Sequence, residues 1–242
     1  MRAARSRREY VHQFARLLRL GSAMSLSRTV AYYGGTDKRD HGYVSAYSAL
    51  LRTRRYRSNR LLEIGVGGWS LEEGYSGERP GGSLRVWRDY LPRSVIVGLD
   101  IEEKRVRLGP RVRFVRGDQT DPVALAKAVD ALGGTPDIVI DDGSHFAGHA
   151  IATFDVLFGQ MAPGSLYVVE DLSTSYWPHW GGGLDLPADS AVSMAQRLVN
   201  LVQARDPTFG GRWPDWGPKP SFERSDVAEL HVFPGMFAVV KA

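Results

Sequence analysis

The chain has 242 residues, a formal net charge of +4 and a sequence pI of about 9.4. Its length and ordinary apolar content suit one α/β domain with a modest appendage. The absence of cysteine excludes disulfides, thiolate metal sites and a cysteine nucleophile. No apolar run approaches the roughly 18 residues that span a bilayer. No signal-type apolar segment follows the arginine pair at 7–8, so we expect a cytoplasmic protein.

The N-terminal region is predicted to be a helical extension or lid over residues 1–58. Apolar residues recur at helical spacing through 1–33, a Gly-Gly-Thr-Asp turn follows at 34–37, and a second helix is predicted over 43–54. The tip is basic through Arg2, Arg5, Arg7 and Arg8. Such a cluster can contact nucleic acid or anionic lipid. A solvated helix start is the commoner explanation, and we expect no nucleic-acid partner.

From residue 60 onward, short apolar strands alternate with helical segments. The predicted strands cover 61–66, 95–99, 112–115, 138–140 and 166–169. The predicted helices cover 84–91, 122–132, 146–161 and 188–204. This alternation indicates βαβ units in a parallel sheet, and Pro234-Gly235 between two final strands indicates a hairpin with an antiparallel last strand. The pattern predicts an α/β domain over 59–242, with the Rossmann-like seven-stranded sheet of class I methyltransferases.

A glycine-rich turn follows the first predicted strand. Glu63 stands directly before it, and Gly65 and Gly67 let the backbone approach a ligand closely. Ligands of open α/β sheets bind at the carboxyl ends of strands, and NAD and S-adenosylmethionine (SAM) compete for this turn. The dinucleotide-binding motif requires a third glycine at the position where this chain has Ser70. An acid before the glycines suits the cationic SAM, so the turn favours SAM over NAD.

Polar side chains also end the next two predicted strands. Asp100 ends the second strand and can accept hydrogen bonds from ribose hydroxyls, in a SAM site or an NAD site alike. Asp118 and Gln119 end the third strand, where polar side chains can hold an adenine amino group. Turns favour the same residue types. Their order at successive strand ends nevertheless favours a nucleoside-containing cofactor.

Carboxylates end the fourth and fifth predicted strands. Asp141 and Asp142 follow 138–140, and Glu170 and Asp171 follow 166–169. The carboxyl ends of neighbouring parallel strands lie side by side, so Asp142, Glu170 and Asp171 are expected to converge. Hard carboxylate oxygens suit Mg²⁺. The alternatives are that the aspartates cap the next helix and that the Glu-Asp pair starts a solvated loop.

His145 lies three residues after Asp142, and we expect it at the start of the following helix. A histidine beside a metal suits a general base that takes the proton of an alcohol acceptor. A lone histidine is more often structural than catalytic. His149, one helical turn later, could share the role.

Residues 60–180 resemble the metal-dependent sugar O-methyltransferases of glycosylated natural products, of the mycinamicin, macrocin and calicheamicin type. The resemblance rests on Leu-Glu-Ile-Gly-Val-Gly-Gly (62–68), Gly-Gly-Ser-Leu-Arg-Val-Trp (81–87), Gly-Leu-Asp-Ile (98–101), Gly-Asp-Gln (117–119), Ile-Asp-Asp-Gly-Ser-His (140–145) and Tyr-Val-Val-Glu-Asp-Leu-Ser-Thr-Ser-Tyr-Trp-Pro (167–178). The last two segments are the most specific.

The resemblance implies roles for individual residues. SAM contacts are implied at Glu63, Gly65, Ser83, Asp100, Asp118 and Gln119, and we add Gly67 and Asp141 to the cofactor side. Mg²⁺ is implied at Asp142, Glu170 and Asp171, with His145 as the base. The Gly-Thr-Asp-Lys segment at 35–38 and His41-Gly42-Tyr43 resemble the same group and are expected to fold over the cofactor.

Aromatic residues after the predicted metal loop point to the acceptor. Tyr176 and Trp177 are expected to stack on a sugar, and Trp213 and Trp216 are weaker candidates that could instead pack a loop. The macrolide enzymes carry a large N-terminal domain, whereas about 55 residues precede the first strand here. A mannoside or oligosaccharide precursor of a methylated polysaccharide therefore stays open beside a natural-product glycoside.

Two other functions remain as alternatives. One is methylation of a catechol or other small phenol, because those enzymes use a similar metal logic. The other is a dinucleotide-binding oxidoreductase. If the protein is a sugar O-methyltransferase, we expect a homo-oligomer that acts on a small-molecule or oligosaccharide acceptor.

Overall fold

The computed structural model describes residues 24–67, 80–105, 107–206 and 226–242. The strands are β1 (Arg60–Ile64), β2 (Val95–Asp100), β3 (Val112–Arg116), β4 (Ile138–Asp141), β5 (Leu166–Val169), β6 (Val227–Phe233) and β7 (Met236–Lys241). The helices are α1 (Leu26–Tyr33), α2 (Val44–Leu51), α3 (Gly82–Tyr90), α4 (Pro122–Leu132), α5 (His149–Leu157) and α6 (Ala191–Gln203). Each predicted strand is present, with its ends shifted by at most two residues.

The seven strands form one sheet in the order β3-β2-β1-β4-β5-β7-β6. Strands β1 to β5 pair in parallel, whereas β7 runs antiparallel to both of its neighbours, β5 and β6. The Pro234-Gly235 turn joins β6 to β7, and Gly235 supplies the positive φ of +76° that the turn needs. The predicted C-terminal hairpin is confirmed. The carboxyl ends of β1, β2, β4 and β5 therefore meet at one edge.

Helices cover both faces of the sheet because its strands are apolar on both sides. Leu61 and Leu62 are fully buried, and they belong to two different core clusters on opposite faces. Helices α1, α2 and α3 contribute to the first cluster, and α4, α5 and α6 contribute to the second. The sheet is thus the middle layer of three.

Local sequence signals fix several helix boundaries. The Asp121 side chain accepts a hydrogen bond from the Val123 amide, Pro122 takes the first helical position, and Gly133 ends α4 in the left-handed region. Helix α4 matches its prediction at both ends. Helix α5 begins at His149 with Gly148 as its cap, so the predicted start near Phe146 is wrong. Glycine at 148 has the positive φ of +82° that stops the helix from extending backward.

The N-terminal extension packs onto the sheet domain. Leu26 and Tyr47 belong to the same core cluster as Leu61. A Cβ on Gly82 would lie 1.7 Å from the Gly35 carbonyl oxygen, so glycine at the start of α3 admits the backbone that links α1 to α2. Within the described ranges, no helix is both long and apolar enough to cross a membrane. The four N-terminal arginines lie outside the described residues.

Candidate active site

Glu63 is fully buried at the end of β1 and is held by helix α3. Ser83 Oγ donates to its Oε2 at 2.8 Å, and Trp87 Nε1 donates to its Oε1 at 2.9 Å. Lys38 Nζ lies 3.7 Å from the same Oε1. Burial raises the pKa of the Glu63 carboxyl to about 7. The structure thus joins Glu63 and Ser83, two residues predicted on the cofactor side, in one buried group.

Gly65 lies where two loops of the sheet edge touch. Its φ is +77°, and a Cβ there would lie 1.8 Å from the backbone oxygen of Asp142. Gly67 also has a positive φ, of +65°. Glycine at 65 therefore lets the turn after β1 lie against the turn after β4, which brings the predicted cofactor and metal residues together. Gly68 and Ser70 lie outside the described residues.

Asp100 and Asp118 end neighbouring strands but have different surroundings. Asp100 is half-buried, and its two carboxylate oxygens accept from the Val66 amide at 3.1 Å and the Glu102 amide at 2.9 Å. It therefore ties the end of β2 to the glycine turn. Asp118 is exposed, and Thr120 donates to it through both amide and hydroxyl, which lowers the pKa of Asp118. Its contacts are those of a turn.

Gln119 and Asp141 form a buried polar network under the turn that follows β4. Gln119 Nε2 donates to Asp141 Oδ1 at 3.2 Å, and Gln119 Oε1 accepts from the Ser144 amide at 2.8 Å. Tyr167 donates to Asp141 Oδ2 at 3.3 Å. Burial raises the pKa of Asp141 to about 6. Both residues therefore brace the loop that carries Asp142 and His145.

Asp142, His145 and Asp171 converge at the ends of β4 and β5. One potential ligand atom from each lies within 4.8 Å of the others. His145 Nε2 is 3.4 Å from Asp171 Oδ2 and 3.9 Å from Asp142 Oδ1. His145 lies in the loop ahead of α5 and not at a helix start, which corrects the prediction. Both His145 and Asp171 have positive φ, of +58° and +56°, a strained conformation that recurs at functional sites.

His149 does not join this group. Its Nδ1 lies 2.7 Å from Ser144 Oγ, at the first residue of α5. Ser144 thereby links the loop to the helix. The geometry favours His145 over His149 as the histidine beside the carboxylates.

Glu170 was expected to converge with Asp142 and Asp171, but among the described residues it is not part of the group that they form with His145. It is buried and is linked to Asp142 through Lys38. Lys38 Nζ lies 2.7 Å from Glu170 Oε1 and 2.8 Å from Asp142 Oδ2. Tyr47 also donates to Glu170 Oε1. Burial, and then the nearby Asp142 charge, raise the pKa of Glu170 well above its usual range. Its other oxygen, Oε2, is buried without a hydrogen-bond partner among the described residues.

The N-terminal extension makes contacts with the carboxylates that sequence reasoning did not predict. Lys38 is 2% exposed, Tyr43 donates to Asp171, and Tyr47 donates to Glu170. Burial by itself lowers the pKa of Lys38, but Asp142 and Glu170 raise it well above its usual value. The segments that carry Lys38 and Tyr43 were expected to cover the cofactor. The four-residue spacing of Tyr43 and Tyr47 would have placed both on one helix face.

The predicted acceptor residues lie on a short helical turn beyond Asp171. Tyr176 is 41% exposed and Trp177 is 50% exposed. Trp177 contacts Trp180, with ring centroids 5.4 Å apart. An apolar cavity of about 470 Å³ lies beside Tyr176, between α6 and the β6–β7 hairpin. Trp213 and Trp216 lie outside the described residues.

The chain is similar in sequence to enzymes that methylate glycosylated natural products. It is 41% identical over 209 residues to the 8-demethyl-8-alpha-L-rhamnosyl tetracenomycin-C 2'-O-methyltransferase of Streptomyces olivaceus. The alignment covers 86% of this chain and 52% of that protein. It is also 38% identical over 205 residues to the demethylmacrocin O-methyltransferase of Streptomyces fradiae. That alignment covers 83% of this chain and 49% of the relative. The chain thus spans about half the length of these relatives. No protein-family model matches it.

The structure is similar to that of MycE, a methyltransferase from the mycinamycin biosynthetic pathway that was solved with Mg, SAH and mycinamycin VI. The TM-score is 0.76 at 34% sequence identity, over 90% of this chain and 53% of the MycE chain. The predicted class I SAM-dependent methyltransferase fold is confirmed, and so is the resemblance seen in the sequence. Along about half of their length, the chain is thus similar in sequence and in fold to these O-methyltransferases and to MycE.

Proposed function

We propose that the protein transfers a methyl group from SAM to a sugar hydroxyl with the help of Mg²⁺. The observation that carries this proposal is the convergence of Asp142, His145 and Asp171 at the sheet edge near Glu63, the next-to-last residue of β1. A histidine within 4 Å of two carboxylates, beside a predicted cofactor turn, combines a cation site with a proton acceptor. One of the relatives named above is an O-methyltransferase of a rhamnosyl tetracenomycin.

The carboxylates fit a divalent cation. Asp142 and Asp171 offer hard oxygen donors within 4.8 Å of each other and of a His145 nitrogen. Glu170 lies outside that group, but its buried Oε2 has no partner among the described residues. A buried carboxylate oxygen without a hydrogen bond costs free energy unless a cation or water satisfies it. When bound, Mg²⁺ supplies positive charge that lowers the pKa of an alcohol acceptor.

The chain's own residues would do the remaining work. Glu63 would hold the SAM ammonium and Asp100 the ribose, which fixes the methyl donor at the β1–β2 end of the edge. His145 Nε2 would accept the proton that the sugar hydroxyl loses as its oxygen takes the methyl group. Tyr176 and Trp177, both exposed, would contact the sugar. The main contribution of the site is to position the two substrates for in-line transfer.

A natural-product glycoside is the acceptor class that we favour. The relatives with 41% and 38% identity are named for a rhamnosyl tetracenomycin and for demethylmacrocin. A transfer screen with labelled SAM across rhamnosides, mannosides and catechols tests this choice. Methylation of a rhamnoside is expected. Methylation of catechols alone, or binding of NAD without SAM in a calorimetric titration, would overturn the proposal.

A further inference from the structure

The N-terminal extension contacts two of the proposed metal ligands through one oxygen each. Lys38 Nζ donates to Asp142 Oδ2 at 2.8 Å and to Glu170 Oε1 at 2.7 Å. Tyr47 donates to that same Glu170 oxygen. Lys38, Tyr47 and Glu170 are all almost fully buried, so water does not compete for these hydrogen bonds.

The third proposed ligand is held in the same way. Tyr43 donates to Asp171 Oδ1 at 2.7 Å, and His41 Nδ1 lies 3.3 Å from this oxygen. The Asp171 amide in turn donates to the Tyr43 hydroxyl at 3.3 Å. The extension therefore holds one oxygen of each of the three carboxylates.

The second oxygen of each carboxylate has different surroundings. Glu170 Oε2 has no hydrogen-bond partner among the described residues. Asp142 Oδ1 and Asp171 Oδ2 both face His145 Nε2, at 3.9 Å and 3.4 Å. The extension thus reaches one oxygen of each carboxylate, whereas the other oxygen lies towards His145 or has no hydrogen-bond partner among the described residues.

The extension is itself fixed against the sheet domain, which such a role requires. The Gly35 backbone lies against Gly82, where no side chain would fit. The Tyr47 ring contacts the Trp87 ring, with centroids 5.0 Å apart, and Trp87 also donates to Glu63. The hydroxyl of Tyr47 is thus placed by packing and not by the carboxylate alone.

We propose that Lys38, Tyr43 and Tyr47 are positioning residues that hold the three carboxylates by one oxygen each, so that the other oxygens face a divalent cation. This inference rests on the proposed function. Hydrogen bonds from outside a metal site orient its ligands, and their loss typically costs about 10-fold to 100-fold in metal affinity. The extension then belongs to the metal site and does not merely cover the cofactor.

The tyrosines give the cleanest test because their substitution leaves the charge of the site unchanged. We expect Tyr43→Phe and Tyr47→Phe each to raise the Kd for Mn²⁺ about 10-fold, measured by electron paramagnetic resonance of free Mn²⁺ without SAM or acceptor. Tyr33→Phe is the matched control. It removes a tyrosine hydrogen bond to Asp89 in the same extension but away from the carboxylate group. Its Kd should equal that of the wild type.

Lys38→Met separates positioning from charge. Removing an ammonium leaves the site more negative, which by electrostatics alone would tighten Mn²⁺ binding. Positioning predicts the opposite, a Kd raised about 10-fold to 100-fold. If Lys38→Met does not fold, the two tyrosine variants decide the question.

The outcomes distinguish this inference from the proposed function. Wild-type protein that does not bind Mn²⁺ would reject the metal site itself. Wild-type binding with unchanged affinity in both tyrosine variants, or tighter binding by Lys38→Met, would overturn the positioning role alone. Weaker binding by the three variants, with Tyr33→Phe unchanged, would support it.

Discussion

Glu63, a proposed cofactor-binding residue, has a protonation state that is linked to the stability of the fold. Its carboxyl group is fully buried, and burial raises its pKa from 4.5 to about 7. Between these two pH values the folded protein holds a proton that the unfolded chain has released. The contribution of Glu63 to stability is therefore greatest below pH 4.5, and it declines as the pH rises to about 7.

This linkage predicts a pH-dependent difference between wild type and Glu63→Gln. From pH 4.5 to 7.5, the free energy of unfolding of the wild type should fall relative to the variant by about 3 kcal/mol. This is the free energy that corresponds to raising the pKa of Glu63 from 4.5 to about 7. Urea unfolding of both proteins across this range, without SAM or metal, measures the difference. A difference that stays constant with pH would show that Glu63 does not titrate in this range.

His145 is the residue to which the proposed chemistry assigns the proton. Because its φ is +58°, asparagine is a better replacement than alanine, since asparagine tolerates the left-handed region. We expect His145→Asn to lower kcat about 10²-fold to 10⁴-fold and to leave the Kd for SAM unchanged. His231→Asn is the matched control, because His231 pairs with Glu229 on β6. Near-normal turnover of His145→Asn would show that His145 is not the general base.

Sequence reasoning located single residues at the site better than it described their contacts. Asp142 and Asp171 come together with His145, because the ends of neighbouring parallel strands share an edge, but Glu170, which was expected to converge with them, is not in this group. Lys38 was not predicted as a partner of these carboxylates. Its contacts join residues more than 100 positions apart in sequence, and no local pattern encodes that packing.

At the scale of elements, the site depends on how closely the turns after β1 and β4 approach. Gly65 and Gly133 have nearly the same φ, +77° and +79°, but different space around them. A Cβ on Gly65 would lie 1.8 Å from the Asp142 backbone oxygen, whereas nothing lies within 4 Å of one on Gly133. The pair therefore separates backbone strain from steric overlap.

This comparison predicts unequal losses of stability. Gly133→Ala should lower the free energy of unfolding by about 1–2 kcal/mol, the cost of a left-handed alanine. Gly65→Ala should cost about 1–3 kcal/mol more, because the turn after β4 must shift. Denaturant unfolding of the two variants gives the values. Equal losses would mean that the two turns do not constrain each other.

The elements themselves were largely predictable. Alternating strands and helices and the Pro234-Gly235 turn gave the order and direction of the sheet, because each is a local signal. The start of α5 was misplaced. The apolar pattern continues upstream of His149, but Gly148 and the left-handed His145 hold the preceding residues in a loop. That loop aims His145 at Asp142 and Asp171.

At the scale of the whole molecule, one sheet edge carries both groups of predicted site residues. Glu63 and Asp100 lie at the ends of β1 and β2, whereas Asp142 and Asp171 follow β4 and β5. The extension closes this edge through Lys38, which contacts Asp142 and lies 3.7 Å from Glu63. The predicted cofactor and metal residues are thus linked through the buried ammonium group of Lys38.

Dependence of methyl transfer on a divalent cation tests the account most directly. The measurement is the rate of transfer from labelled SAM to a rhamnoside acceptor, first after exhaustive chelation with EDTA and then after Mg²⁺ is restored. We predict that chelation abolishes turnover and that Mg²⁺ restores it, since the carboxylates and His145 act together on the hydroxyl. Full turnover by the rigorously chelated protein would contradict the account.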